Sequence, residues 1–494
     1  MRRLILIFVL AATVEIHAQS TLTACTGSPC PTLVQDVTWG TNNGTENGNG
    51  FKYHLPNPTL ANNLLICGVS WDTAAAATIT DNIGTNTWVD GPTSSGGTRK
   101  IMLKYALGVA AGTQDLTLTL SAAAANVHFR CSEFYNVATS SAVDGIATSA
   151  SNVTGPTVAS GSITTTVDND LIYHYGIDDA NLCCISHVTS FVVGGGFSLL
   201  PSDRHMGHFA QYFAWGGHGA LNPTMTVNQS SHEPFGSAAI ALKAAAAGTA
   251  PRAGIRILRE YHTSIDATAY VVQWPCSGNL TVLAGGESYN YHPWTQVTDG
   301  VNTFSKITNP SPNANDYAQM FYAAGMDCSN PNTRTMTLTN AAGGATLVPV
   351  IYDIAGAATS PLDVVAGAFY KQAQAGGSSC PGAAGSDTDH APDLTPAVAP
   401  GLAIAVLNNG TGPTCAMMGA GYVHDSAWYT GASDGSTLMD SANGFAHVYY
   451  SNTTTLDFGY HWANNTATDG YAMAVSFKAD PSAVPKRKRV EVTR

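Results

Sequence analysis

Short runs of alternating apolar and polar residues, bounded by Gly, Asn, Asp or Ser, recur along the whole chain. LTLTL begins at Leu116, and MTLT begins at Met336. This alternation is typical of strands with one buried face, and the bounding residues favour turns. After the first twenty residues no stretch has sustained helical periodicity. The pattern therefore predicts an all-β protein in which sheets cover one another, because helices are not there to do so.

One sequence pattern occurs twice, as ITDNIGTNTWV at residues 79–89 and as VTDGVNTFSKI at residues 297–307. Each is typical of a hairpin, in which the turn is followed by an aromatic residue, Trp88 or Phe304, on the returning strand. Other blocks match in the same order with an offset of about 220 to 235 residues, too long for a solenoid repeat. We therefore predict two tandem jelly-roll-like antiparallel β-sandwich domains related by internal duplication.

Changes in amino-acid composition along the chain indicate where the domain boundaries are expected. Small residues with Pro251 and Gly254 indicate a linker between the two domains. The expected organisation is a signal peptide at 1–18, a polar segment with the first strand at 19–50, a first sandwich at 51–244, a linker at 245–254, a second sandwich at 255–479 and a basic tail at 480–494.

The first residues carry Arg2 and Arg3, an apolar run and then Ala18, as in a secretion signal. The apolar run is too short for a membrane helix, and no later stretch could span a bilayer. We therefore expect a secreted, extracellular protein whose ten cysteines form disulfides. The expected pairs are Cys25 with Cys30, Cys276 with Cys328 and Cys380 with Cys415; Cys67 and Cys131 could form a bridge or remain two buried thiols.

The low content of charged residues and the negative net charge limit the classes of binding partner. Only 11% of residues are charged and the formal net charge is -12, which disfavours nucleic acid and anionic membranes. Low charge and exposed strand edges also favour self-association, so a structural or self-assembling surface protein is one alternative function.

Three acidic positions recur in both halves: Asp81 with Asp299, Glu133 with Asp353, and Asp144 with Asp363. Repeated carboxylates could bind calcium, the one cofactor that the sequence leaves open. The simpler interpretation is that the turn aspartates cap their own turns. A polysaccharide-active hydrolase or lyase is a further alternative, and its catalytic carboxylates would be Glu133, Asp144, Asp353 and Asp363. No nucleophile motif supports catalysis.

Histidines offer a second metal hypothesis. His205 and His208 lie in a loop-like stretch of the first half, where they could share a metal. On a strand, the same spacing would send them to opposite faces. Surface and loop histidines are the simpler interpretation.

Aromatic residues beside turn residues concentrate in the second half. Such rings stack on the apolar faces of sugars, while neighbouring Asn, Asp and His bind hydroxyls. The predicted ligand-binding residues are Tyr289, Tyr291, Trp294, Trp428, Tyr429, Tyr460 and Trp462.

The phrases NLLICGVSW, ITDNIGTNTW and SEFYNVATSSAVDG resemble those of tandem β-sandwich modules in secreted bacterial proteins of unassigned function. The resemblance covers most of the chain after the leader and implies a fold, with no catalytic residues. The leading hypothesis is a non-catalytic binding or adhesion protein that recognises an extracellular glycan or cell surface.

Overall fold

The computed structural model describes a chain built almost entirely of strands. The described residues are 22–39, 48–72, 75–96, 99–151, 155–178, 188–202, 204, 207–229, 235–263, 265–266, 269–287, 294–310, 318–340, 346–370, 388–390, 393–409, 414–416, 422–424, 428–429, 437–438, 443–462 and 470–482. Within these ranges, the helical content is one 3-10 turn at Pro331–Thr333. The all-β prediction is therefore confirmed.

Seventeen strands, β1 to β17, make up what we call the first half. They are β1 (Thr32–Trp39), β2 (Gly48–His54), β3 (Leu64–Asp72), β4 (Ala77–Asp81), β5 (Trp88–Gly96), β6 (Arg99–Ala106), β7 (Asp115–Tyr135), β8 (Val143–Ser151), β9 (Thr157–Ala159), β10 (Ile163–Thr165), β11 (Asp170–Asp178), β12 (Val188–Val193), β13 (Ser198–Leu199), β14 (His208–Trp215), β15 (Gly219–Leu221), β16 (Thr224–Gln229) and β17 (Phe235–Leu242).

The strands β18 to β36 make up the second half. They are β18 (Arg256–His262), β19 (Ile265–Asp266), β20 (Ala269–Gln273), β21 (Leu280–Glu287), β22 (Trp294–Thr298), β23 (Ser305–Ile307), β24 (Ala318–Ala324), β25 (Thr335–Asn340), β26 (Thr346–Ala355), β27 (Ala357–Tyr370), β28 (Thr388–His390), β29 (Gly401–Asn409), β30 (Thr414–Ala416), β31 (Tyr422–His424), β32 (Trp428–Tyr429), β33 (Thr437–Leu438), β34 (Asn443–Tyr450), β35 (Gly459–Trp462) and β36 (Gly470–Ala479).

The order of strand pairing in the first half recurs in the second. The central order β1-β7-β3-β6-β5 returns as β18-β26-β21-β24-β23. The outer sheet β8-β17-β11-β14-β13 returns as β27-β36-β29-β34-β31, and β9-β16-β12 returns as β28-β35-β30. The long strand β7 pairs through its first part with β2 and β4, as the shorter β25 pairs with β20 and β22.

The two halves share one sheet, because β1 and β18 pair in parallel at its centre. On either side the order is mirrored, with β7 beside β1 and β26 beside β18. Two parallel strands with mirrored neighbours are related by a twofold rotation about an axis that lies in the sheet, along the strands. Such a rotation exchanges the two faces of the sheet, so corresponding layers of the two halves lie on opposite sides.

Layers pack on both faces of the shared sheet. In the first half, one face carries Trp39 and Phe129 and packs against β2 and β4, while the other packs against β11 and β17. In the second half, the face that continues from Trp39 carries Tyr352 and packs against β29 and β34, while the opposite face packs against β20 and β25. Sandwich-like packing of sheet on sheet therefore buries the core of each half.

Side chains also cross between the halves. On one face the Asn57 side-chain amide donates to the Ile257 carbonyl at 2.8 Å, and Tyr449 donates to Asn57 Oδ1 at 2.7 Å. On the other face Gln273 Oε1 accepts from the Phe191 amide at 2.8 Å. The first part of the expected linker, residues 245–249, lies along the first half, where the Asn136 amide donates to the Ala247 carbonyl at 2.8 Å and the Thr249 amide donates to Asn63 Oδ1 at 2.7 Å.

Three disulfides lie within the described residues: Cys25–Cys30, Cys67–Cys131 and Cys276–Cys328. Both expected pairs that can be checked are confirmed, and Cys67 and Cys131 form a bridge where thiols were the alternative. Cys380, the expected partner of Cys415, lies outside the described residues. Over the same ranges no helix has the length and apolar character needed to cross a bilayer, while the expected leader at 1–18 and most of the tail are not described.

Candidate functional site

The three-stranded sheet β28-β35-β30 brings polar and aromatic residues of the second half together. Its middle strand, β35, carries Tyr460 and Trp462. On one side Asp389 pairs with Tyr460, and on the other side Thr414 pairs with Trp462. Residues from three segments that are distant in sequence therefore occupy adjacent positions on one small sheet.

The hairpin of β32 and β33 carries Trp428 and Tyr429 and extends onto the first half. Trp428 pairs with Lys52 of β2, which is exposed, and Tyr429 pairs with Phe51, which is buried. A segment of the second half thus adds a strand to a sheet of the first.

Trp294 has a core environment. Its side chain is 2% exposed and stacks on Phe321 with the ring centroids 6.2 Å apart. It therefore does not contribute a surface ring to a platform. Tyr289 and Tyr291 lie outside the described residues.

Glu133 is fully buried and engaged by three donors. The Asn63 side-chain amide and the Leu60 amide donate to Oε1 at 2.6 and 2.9 Å, and the Gln35 side-chain amide donates to Oε2 at 2.6 Å. Burial raises the pKa of Glu133, although these hydrogen bonds oppose the rise. This carboxyl joins β7 to β1 and to the segment before β3.

Asp353 occupies the corresponding place on β26. Arg259 donates to Oδ2 at 2.7 Å, and the amides of Ser277 and Gly278 donate at 2.9 and 2.8 Å. Glu133 lies opposite Gln35 as Asp353 lies opposite Arg259. The structure therefore places both carboxylates inside the sheets, where their oxygens hold strands.

Asp144 and Asp363 anchor the loops that lead into β11 and β29. Asp144 accepts hydrogen bonds from the amide and hydroxyl of Thr166, the latter at 2.6 Å. Asp363 accepts from the amides of Ala397 and Val398 at 2.8 and 3.1 Å. Each carboxylate thus has the same structural role in its own half.

Beside Asp144 lies Asp170, which is fully buried and which the second half lacks, because the corresponding residue is Gly401. Burial, and then the hydrogen bond and charge of Asp144, raise the pKa of Asp170 to about 8. Burial alone would raise the pKa of Asp144 as well, but the hydrogen bonds from Thr166 outweigh it and lower that pKa to about 2. At neutral pH the pair therefore holds one proton, on Asp170.

The turn aspartates cap their own turns. Asp81 Oδ1 accepts from the amides of Ile83 and Gly84 at 3.0 and 2.9 Å. Asp299 Oδ1 accepts from the amides of Val301 and Asn302 at 3.0 and 2.6 Å. The structure therefore shows turn capping, the simpler of the two interpretations given for Asp81 and Asp299.

His208 lies in the core between two sheets. Its ring stacks on that of His128 with centroids 3.7 Å apart, and its Nδ1 lies 3.3 Å from the Tyr175 hydroxyl. Among the described residues, no set of three metal ligands includes His208. His205 lies outside those residues.

His174 Nε2 and Ser237 Oγ form a buried hydrogen bond of 2.6 Å. Gln211 determines which of the two atoms is the donor. The Gln211 oxygen accepts from the Gly194 amide, so its nitrogen donates to His174 Nδ1 at 2.8 Å. The proton of His174 must then be on Nε2, which donates to Ser237. Burial lowers the pKa of His174 to about 3, so this histidine is neutral and cannot take a proton from Ser237 in this arrangement.

A second cluster, the seam cluster, consists of His54, Glu260 and His262 and lies where the two halves meet. His54 ends β2, and Glu260 and His262 lie two residues apart on β18, on one face. Trp39 stacks on His262 with centroids 3.5 Å apart. Sequence reasoning missed this cluster, although the spacing Glu-x-His on a strand puts both side chains on one face.

Searches with protein-family models, curated proteins and solved structures found no match to this chain.

Proposed function

We propose that this is a secreted, non-catalytic binding or adhesion protein that recognises glycans through the second half. Its binding surface lies at the sheet β28-β35-β30, with the hairpin β32–β33 as a neighbouring aromatic segment. The proposal requires no cofactor.

The observation that carries this proposal is the pairing of β35 with β28. It sets Asp389 opposite Tyr460, with Trp462 two residues further along the same strand as Tyr460. Glycan sites combine aromatic rings for the sugar faces with polar groups such as carboxylates for the hydroxyls. Because these residues lie on paired strands, the sheet fixes their spacing before a ligand arrives.

The absence of catalysis is supported by the engagement of the carboxylates. Glu133 and Asp353 are buried and hold strands, and Asp144 and Asp363 hold loops. Glycoside hydrolysis needs two carboxyl groups that face a cleft.

We also propose that the two halves arose by duplication of one jelly-roll-like sandwich domain. The recurrence of the same pairing order in the shared and outer sheets supports this origin. In the first half the strand that corresponds to β35 is β16, TMTVNQ, which has no aromatic residue. Under this proposal the binding surface is a specialisation of one copy.

The test is retention of the full secreted chain on a panel of insoluble polysaccharides, comparing wild type with Trp462→Ala and Tyr460→Ala. Aromatic stacking contributes about 0.5 to 1.5 kcal/mol beyond buried area, so each variant should weaken binding about tenfold. Tyr135→Ala, a half-buried tyrosine of the first half, is the matched control and should bind like wild type.

Unchanged retention of both variants, with a circular dichroism spectrum like that of wild type, would remove this surface from the proposal. Concentration-dependent growth of the chain into large assemblies, with no retention on any polysaccharide, would support the structural alternative instead.

A further inference from the structure

The seam cluster is buried on every side. His54 is 5% exposed, Glu260 is 0% exposed and His262 is 1% exposed. One ligand atom from each, an imidazole nitrogen or a carboxylate oxygen, lies within 4.8 Å of the other two. Two of the three residues belong to the second half and one to the first, so the cluster spans the junction.

The charge of Glu260 is balanced differently from that of its counterpart. In the first half the corresponding residue is Asp36, because Asp36 follows the residue opposite Glu133 as Glu260 follows the residue opposite Asp353. Arg130 forms an ion pair with Asp36 at 2.9 Å. Arg130 lies opposite Thr38, and the residue opposite His262 is Val350, so the second half has an apolar side chain in the arginine position. Among the described residues, the ion-pair partners of Glu260 are the two imidazoles.

A second observation points to a ligand. Glu260 Oε2 has no hydrogen-bond partner among the described residues, although the atom is buried. A buried carboxylate oxygen without a donor is unfavourable unless a cation lies close to it. A divalent metal would provide that cation without an arginine.

The donor set fits zinc, and the separation of two of its ligand atoms matches. Two imidazole nitrogens and one carboxylate oxygen are ordinary zinc ligands, with bonds of about 2.0 to 2.2 Å. Two atoms bound to one tetrahedral ion at that length lie about 3.3 Å apart. His54 Nε2 and Glu260 Oε1 are 3.5 Å apart. His262 Nε2 hydrogen-bonds the same oxygen, so an ion would take the place of that hydrogen bond. The Trp39 and Phe445 rings pack against His262 and restrict its orientation, as the surroundings of metal-binding histidines do.

The geometry points to a buried divalent transition-metal site, formed by His54, Glu260 and His262 and best matched by Zn²⁺, that joins β2 of the first half to β18 of the second. The ion would act as a structural crosslink between the halves. This role is independent of the glycan surface and of any calcium bound in loops.

The experiment begins with the full chain, untagged and purified without chelators, and with its metal content measured by mass spectrometry. About one zinc per chain is expected. The metal-free protein is then loaded with Co²⁺, whose visible spectrum reports coordination by nitrogen and oxygen, and melted with and without Zn²⁺.

Glu260→Gln and His54→Gln should each weaken metal binding about 100-fold or more, because each removes a ligand. His208→Gln is the matched control, because it alters a buried imidazole that stacks on His128 and lies outside the seam cluster. This variant should keep both the zinc and the Co²⁺ spectrum.

Wild type with less than about a tenth of a zinc per chain and a melting temperature unmoved by added Zn²⁺ would overturn the proposal. Full metal content in both ligand variants would overturn it equally, by placing the ion elsewhere. Because the wild-type measurement does not depend on the variants, the proposal can be refuted even if a variant fails to fold.

Discussion

Asp36 and Glu260 occupy corresponding positions on the two central strands, but only Asp36 is held by an arginine. Arg130 donates to both oxygens of Asp36, at 3.2 and 2.9 Å, and also donates to the Pro201 carbonyl. Val350 takes the place of Arg130 in the second half. The same backbone arrangement therefore supports an ion pair on one face of the shared sheet and the seam cluster on the other.

Replacement of Arg130 by Met should destabilise the protein strongly. Arg130 and Asp36 are both buried, and removal of one partner leaves a buried charge without compensation, which costs about 3 to 5 kcal/mol. Urea unfolding followed by fluorescence measures the loss. The double variant Asp36→Asn with Arg130→Met removes both charges and should recover a large part of it. A loss below about 1 kcal/mol in the single variant would show that the pair is not needed.

Asp170→Asn should stabilise the protein at alkaline pH. The folded protein keeps the proton of Asp170 up to pH about 8, whereas the unfolded chain releases it near the ordinary pKa of about 3.9. The stability contributed by protonated Asp170 is therefore fully present below pH about 4 and is lost as pH rises towards 8. Asn has no proton to lose.

We expect the free energy of unfolding of Asp170→Asn to exceed that of wild type by about 1 to 2 kcal/mol at pH 8 and to equal it near pH 4. The gain is smaller than the full pKa shift implies, because Asp144 and Asp170 titrate together. Thermal melts of both proteins from pH 4 to pH 9 give the comparison. Parallel stability curves over that range would rule out a raised pKa for Asp170.

Gly68→Ala should weaken the packing between the shared sheet and β11. A Cβ at Gly68 would lie 2.8 Å from the Tyr175 ring, which is buried and cannot withdraw into solvent. Such overpacking costs about 1 to 3 kcal/mol. Gly155→Ala is the matched control, because a Cβ there would meet no atom within 4 Å. Equal melting temperatures for the two variants would contradict the packing described for Tyr175.

Calorimetry should show one unfolding transition for the whole chain. The parallel pair β1 and β18 lies at the centre of the shared sheet, and Trp39 and His262 stack across it. Separation of the halves would expose this buried surface, so neither half should melt long before the other. Two transitions separated by many degrees would show that the halves fold independently despite the shared sheet.

Sequence patterns alone predicted the strand content, the matches between the halves and two disulfides. The match of Glu133 with Asp353 was found by comparing blocks, and strand register places both residues at corresponding positions. This succeeds because alternation and turn residues are local signals.

The junction between the halves could not be predicted in the same way. The pairing of Thr38 with Tyr261 joins residues more than 200 positions apart, and alternation does not specify which strands pair over such a separation. The seam cluster depends on this pairing and on His54 from a third strand, so its ligands cannot be assembled from one motif. Trp294 was expected in a binding loop because turn residues precede it, but a long-range contact with Phe321 places it in the core.

The most direct test of the binding proposal measures two quantities in one incubation of the full chain with insoluble polysaccharides: protein bound and sugar released. We expect saturable binding that Trp462→Ala weakens about tenfold, with no release of soluble sugar. Steady release of sugar that Glu133→Gln or Asp353→Asn abolishes, in variants that remain folded, would contradict the proposal and establish an enzyme.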